Sequence, residues 1–129
     1  MSIGLLIITH NGIGNSLLKT ATSIVGHNPL TIEIISVPLN CNPQRQNDKA
    51  LKIAEKIDNG DGVLILADLY GSTPYNIARA VNNAYKGSSA LLSGINLPML
   101  LRVLNYPQLD LKAVTQKALS GGQQGIINS

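Results

Sequence analysis

The chain has 129 residues, 44% hydrophobic and 13% charged, which excludes a disordered chain and leads us to expect one domain, residues 1–129, with a buried core. Phe and Trp are absent, and the net charge of +3 comes from Lys and Arg with no run of three, which argues against a nucleic-acid-binding surface. Cys41 is the only cysteine, so an intrachain disulfide and any Cys-x-x-Cys redox or metal motif are ruled out.

Ile3–Ile8 is a short continuous apolar run, as expected of a strand buried on both faces, and it ends in the polar cluster Thr9-His10-Asn11-Gly12. Asn15–Val25 carries Leu17, Leu18, Ala21, Ile24 and Val25 at near-helical spacing and closes at Gly26. Leu30–Val37 is rich in β-branched residues and predicts a second strand. A loop from Pro38 to Pro43 leads to a helix near Gln44–Asp58, with Ala50, Leu51, Ile53, Ala54 and Ile57 on one face. Asp58–Gly62 is a turn by composition, and Val63–Ala67 is the most strand-like segment of the chain. After Asp68–Pro74 a helix is predicted from Pro74 to about Tyr85, with Thr73 as its N-cap. Ala90–Ser93 predicts a fourth strand, followed by Gly94–Pro98 and a helix starting near Pro98. A last helix near Asp110–Leu119 is expected to end at Ser120-Gly121-Gly122, with Gly125-Ile126-Ile127 as a short final strand.

Strands alternating with helices imply βαβ units, hence an α/β fold, doubly wound, with a mostly parallel four-stranded sheet and helices on both faces. Function in such sheets collects beyond the carboxyl ends of the strands. The loops Thr9–Gly14, Asp68–Pro74 and Gly94–Pro98 lie there. If strands one and three are neighbours, His10 and Asp68 share one edge, where a carboxylate fixes the histidine tautomer and leaves the other ring nitrogen as a nucleophile. The helix start after Gly71 and Ser72 presents unpaired N–H groups and a positive dipole end, and the Ser72 and Thr73 hydroxyls can donate to an anion. Ordinary capping explains Thr73 and Pro74 equally well.

Other chemistries fit poorly. Gly12-Ile13-Gly14 lacks the third glycine of a dinucleotide fingerprint, and no Gly-Lys-Ser/Thr triplet is present. His10, His27 and Cys41 do not make a zinc set, and Ser72 lacks a Gly-x-Ser-x-Gly context, so no metal site and no serine hydrolase are expected. A lone thiol suits a reducing compartment, the apolar N-terminus has no basic leader segment or cleavage site, and no stretch is long enough to span a bilayer. A cytoplasmic location is expected.

Three strings together carry a resemblance: Ile7-Ile-Thr-His-Asn-Gly12, Asp68-Leu-Tyr-Gly-Ser-Thr-Pro-Tyr-Asn76 and Gly94-Ile-Asn-Leu-Pro-Met-Leu100. Across essentially the whole chain the sequence resembles the mannose-family IIA component of the bacterial phosphotransferase system. The resemblance implies a flavodoxin-like strand order and a homodimer that exchanges a C-terminal antiparallel strand, with Gly121-Gly122 as a hinge. It implies a phosphotransferase that needs no cofactor and works through a phosphohistidine. His10 would accept the phosphoryl group through Nε2 from the histidine-containing phosphocarrier protein and pass it to a IIB component during sugar uptake. Asp68 would orient Nδ1, and Gly71, Ser72 and Thr73 would hold the phosphate. Tyr70, Asn96, Leu97, Pro98 and Met99 would form the partner surface, with peripheral association to a membrane permease complex. Asn11 and Ser72 stand where many relatives have Gly. No IIB domain is fused to the chain as read, so the acceptor is expected on a separate protein. Two other roles for the same site stay open: a regulatory phosphoprotein, and a phosphocarrier domain serving dihydroxyacetone kinase.

Overall fold

The computed structural model describes residues 2–129. Two strands read as continuous apolar runs, β1 (Gly4–His10) and β3 (Val63–Ala67), and both lie in the middle of a four-stranded sheet. The edges are β2 (Thr31–Val37) and β4 (Ser89–Ser93), whose side chains are mostly half-buried. The order is β2-β1-β3-β4 and every pairing is parallel, with Ile8 of β1 opposite Ala67 of β3.

Alternation along the central strands sorts their side chains into two cores. Leu5, Ile7, Leu64 and Leu66 face the helices α1 (Ile13–Val25), α4 (Leu97–Asn105) and α5 (Leu111–Gln124), through Ala21, Leu100, Val103 and Ala118. Leu6, Ile8, Val63 and Ile65 face α2 (Pro43–Ile57) and α3 (Thr73–Ala84), through Ala50, Ala54, Ile77 and Ala78. A strand covered on both sides has no solvent face, which is why β1 and β3 have no polar alternation. The doubly wound α/β expectation holds. Among the described residues no helix is long and apolar enough to cross a membrane.

The chain places β2 on one side of β1, then crosses back to place β3 on the other. The crevice beyond the carboxyl ends of β1 and β3 is therefore a topological switch point, where open α/β sheets hold their ligands.

The C-terminal part differs from the sequence expectation. α5 does not stop at Leu119 but continues through Gly121 and Gly122 to Gln124, and residues 126–129 form no strand within this chain. The glycines are contact points rather than a hinge. A Cβ on Gly121 would lie 2.2 Å from Arg102 Cγ, and one on Gly122 would lie 2.9 Å from Met99 Cε. Backbone packed this closely against α4 gains enough contact to offset the poor helix propensity of glycine. Ile126 and Ile127 follow α5 and are exposed.

Candidate functional site

His10 closes β1 and Asp68 follows β3 directly, so the parallel pairing of the two strands brings them to one edge. Asp68 holds the histidine twice. Its Oδ2 accepts from the His10 backbone N–H at 2.9 Å and lies 2.8 Å from Nδ1. Its Oδ1 accepts from the Leu69 N–H at 3.0 Å. The carboxylate is 9% exposed while the imidazole is 37% exposed, so the carboxylate is largely buried and the ring opens to solvent. Burial raises the Asp68 carboxyl pKa, but the hydrogen bonds and charge from His10 outweigh it and hold the carboxyl below its ordinary value. With the acceptor against Nδ1, the proton belongs on Nδ1 and the lone pair on Nε2.

The third polar group of His10, its carbonyl, accepts from the buried Thr9 hydroxyl at 2.8 Å. That hydroxyl also accepts from the Gly14 N–H at 2.8 Å, in the first turn of α1. Ser36 at the end of β2 binds the same loop: its Oγ donates to Asn15 Oδ1 at 2.7 Å and accepts from the Gly12 N–H at 3.4 Å. Gly12, the N-cap of α1, sits at φ +85°, a region open to glycine at no steric cost. No role is legible in the sequence for Thr9, although it lies in the first motif string, or for half-buried Ser36, because a hydroxyl's hydrogen-bond partners leave no mark there.

Three helices begin on this edge, but they do not offer equal anion sites. In α1 the Gly12 and Gly14 amides are already taken by hydroxyls. In α4 the Asn96 side chain caps Met99 N–H at 2.9 Å, as a side chain also caps the third amide of α3, but the first helical residue of α4 is Leu97, which brings no hydroxyl. The start of α3 differs from expectation: Ser72, not Thr73, is the N-cap. Its Oγ accepts from Tyr75 N–H at 3.4 Å and donates to the Leu69 carbonyl at 2.6 Å. Thr73 becomes the first helical residue and Pro74 the second, a position where the missing N–H costs nothing. The exposed Thr73 hydroxyl and N–H are thus the best placed donors for an anion, with Gly71 (φ +82°) turning the loop towards them.

The expected partner surface divides. Tyr70 is 74% exposed and packs its ring against Tyr75, with centroids 4.7 Å apart. Leu97 is half-buried beside a depression of about 580 Å³ that runs from the histidine loop along α1, lined also by Ile13 and Leu17. Met99 corrects the expectation: it is 3% exposed and belongs to the core, because the helix turn that leaves Leu97 half-buried directs Met99 inward. Asn96 is engaged internally, as the α4 cap and as a donor to the Gly122 carbonyl at 3.1 Å. Exposed Leu69, in the loop after β3, and Ile13, the first residue of α1, flank the site and were missed, since single apolar residues look like packing residues. Among the described residues no three His, Cys, Asp or Glu side chains are grouped as metal ligands.

Comparison with known proteins gives one direction. The family model described as the PTS system fructose IIA component, EIIA-man, matches residues 4–119. The PTS system mannose-specific EIIAB component of Escherichia coli K12 is 30% identical over 130 residues, spanning 98% of this chain and 39% of that protein, and the Shigella flexneri protein of the same name matches equally. The chain thus spans about two fifths of the length of these relatives. Among solved structures, the mannose/sorbose-specific IIA subunit from Enterococcus faecalis superposes with a TM-score of 0.87 at 22% identity, covering 100% of this chain and 96% of that one. EIIA from Streptococcus agalactiae superposes at 0.83 and 22%, covering 98% and 96%. With its parallel sheet, its His10–Asp68 pair at the switch point and a family match along nearly its whole length, this chain belongs to the mannose-type IIA components of the phosphoenolpyruvate-dependent sugar phosphotransferase system.

Proposed function

We propose that the protein is a phosphocarrier whose His10 Nε2 takes a phosphoryl group from the histidine of a phosphocarrier protein and passes it to a IIB component. The observation that carries this reading is the double hold of Asp68 on the His10 N–H and Nδ1, which reserves Nε2 for the reaction. In the transfer, the donor's N–P bond breaks as the Nε2–P bond forms. The Nδ1 proton stays with the ring, whose new positive charge faces the Asp68 carboxylate. Both bonds join phosphorus to an imidazole nitrogen, so positioning and charge stabilisation do most of the work. Thr73, through its hydroxyl and N–H, and the Gly71 loop hold the phosphate oxygens at the start of α3. Ser72 supports them as the cap.

The acceptor is a IIB component, and the protein acts in the cytoplasm beside a membrane permease complex. Exposed Tyr70, Leu69 and Ile13, with half-buried Leu97, supply the apolar rim on which donor and acceptor dock in turn. A homodimer fits the open edge of β4 and the exposed Ile126-Ile127 tail, which together leave an unpaired strand edge and an unpaired apolar segment in each chain.

The test is labelling with radiolabelled phosphoenolpyruvate, Enzyme I and the phosphocarrier protein. One acid-labile, alkali-stable label per chain is expected, lost in His10→Ala and mapped to His10 by mass spectrometry. Wild-type protein that stays unlabelled beside active donors would overturn the reading.

A further inference from the structure

We infer that Thr9 is a positioning residue for His10, acting on the histidine's carbonyl as Asp68 acts on its N–H and ring. The inference rests on the phosphocarrier reading of the site. Thr9 is a fully buried polar side chain, at 0% exposure, at the carboxyl end of an otherwise apolar strand. Its hydroxyl is a relay: it accepts from the Gly14 N–H at 2.8 Å and donates to the His10 carbonyl at 2.8 Å. The relay ties the peptide plane after His10 to the first turn of α1.

The geometry on the other side of the hydroxyl leaves it little freedom. A Cβ on Gly14 would lie 3.1 Å from Thr9 Oγ1, 2.9 Å from Ile7 Cγ2 and 3.2 Å from Ile34 Cγ2, so only glycine lets α1 start this close to the sheet. The β-branched side chain is itself restricted at χ1, which keeps Oγ1 at the carbonyl. With the Asp68 bonds, all the polar groups of His10 except Nε2 have a protein partner among the described residues. Asp68 alone sets the ring tautomer, but a ring also swings with its backbone. Thr9 removes that second freedom, so that Nε2 meets the incoming phosphorus at a fixed angle.

The test compares Thr9→Val, which keeps the shape and removes the hydroxyl, with Thr9→Ser, which keeps the hydroxyl. Phosphoryl transfer from the phosphocarrier protein is followed at varied donor concentration, with thermal unfolding as the control for folding. Thr9→Val is expected to lower kcat by about tenfold or more with little change in donor KM, since a small misplacement of a reacting atom is costly. Thr9→Ser is expected to restore most of the rate. Nitrogen NMR of the His10 ring should keep its tautomer in both variants, because Asp68 is untouched, while the Thr9→Val ring shows broader signals. If Thr9→Val does not fold, Thr9→Ser compared with Thr9→Ala decides in the same way. Folded Thr9→Val at the wild-type rate, or Thr9→Ser as slow as the variant lacking the hydroxyl, overturns the inference. Wild-type protein that takes no label at His10 overturns the phosphocarrier reading instead.

Discussion

Replacing Asp68 with asparagine changes few atoms and puts the site's hydrogen-bonding logic under direct strain. The carboxylate accepts three bonds: two on Oδ2, from the His10 N–H and Nδ1, and one on Oδ1, from the Leu69 N–H. An amide has one acceptor atom and one donor atom, so it cannot serve all three. With its oxygen towards His10, its NH2 group confronts the Leu69 N–H and the charge on the histidine partner is gone. With its nitrogen towards His10, it confronts the backbone N–H and draws the ring proton from Nδ1 to Nε2, which blocks the nucleophile. A hydrogen bond to a charged group is worth roughly 1.5–3 kcal/mol against 0.5–1.5 for a neutral one, so losing charge assistance on the Nδ1 bond, the one that strengthens as the ring gains charge, removes about 1.4 kcal/mol from the transition state. At about 1.4 kcal/mol per decade this is about a tenfold loss of rate, even in the less harmful orientation. Water at the half-exposed ring trims the figure without cancelling it, because the carboxylate itself is only 9% exposed. The assay is the initial rate of labelling by the phosphorylated phosphocarrier protein, with nitrogen NMR reporting the ring tautomer. Asp68→Asn that is labelled within about threefold of the wild-type rate would refute the reasoning, since that gap is under 1 kcal/mol.

Three further outcomes follow from particular contacts. Ser72→Ala removes the α3 cap and is expected to cost about 1 kcal/mol in urea unfolding with a modest loss of labelling, whereas Thr73→Val should leave stability nearly unchanged and slow labelling about tenfold or more. Gly121→Ala should destabilise the fold by about 1 kcal/mol, because crowding against Arg102 costs about 1–3 kcal/mol and exceeds the roughly 1 kcal/mol that alanine gains inside a helix. A more stable variant in denaturant titration would show that α4 gives way without cost. Tyr85 donates to Asp58, and burial together with that carboxylate pushes its phenol up to about 12 from 10.0. A folded pKa above the unfolded one means a stabilising contribution intact below pH 10.0 and lost as pH rises towards about 12. Spectrophotometric titration should therefore show one of the four tyrosines titrating late, and Tyr85→Phe should abolish that late step and flatten the alkaline loss of stability. Asp58 is lowered by the same bond with Tyr85, so its contribution runs the other way: present at neutral pH and lost as pH falls below the ordinary 3.8.

Much of this protein was legible without coordinates, and for a definite reason. Strands buried on both faces must be apolar throughout, so β1 and β3 announced themselves, and alternation with amphipathic helices left a doubly wound sheet as the natural topology. Once β1 and β3 are neighbours, His10 and Asp68 must meet at the sheet edge, which is why two residues 58 positions apart could be paired from the sequence. The features hidden there depend on which atom faces which. Ser-Thr-Pro allows a helix to start at either hydroxyl, and only the closure of the Leu69–Ser72 turn made Ser72 the cap and left Thr73 for an anion. Gly121-Gly122 looked like a helix stop because glycine is a poor helix former, until the close face of α4 gave the missing side chains a purpose. Met99 lay in a motif that suggested surface, yet its place on the α4 turn sent it to the core. His10 was legible in the sequence as the candidate phosphoacceptor. The Thr9 hydroxyl bonds and the second hold of Asp68, on the His10 backbone N–H, emerged only when the strand end, the first turn of α1 and the β3 loop came together in space, because hydrogen-bond direction is a property of the fold and not of the chain.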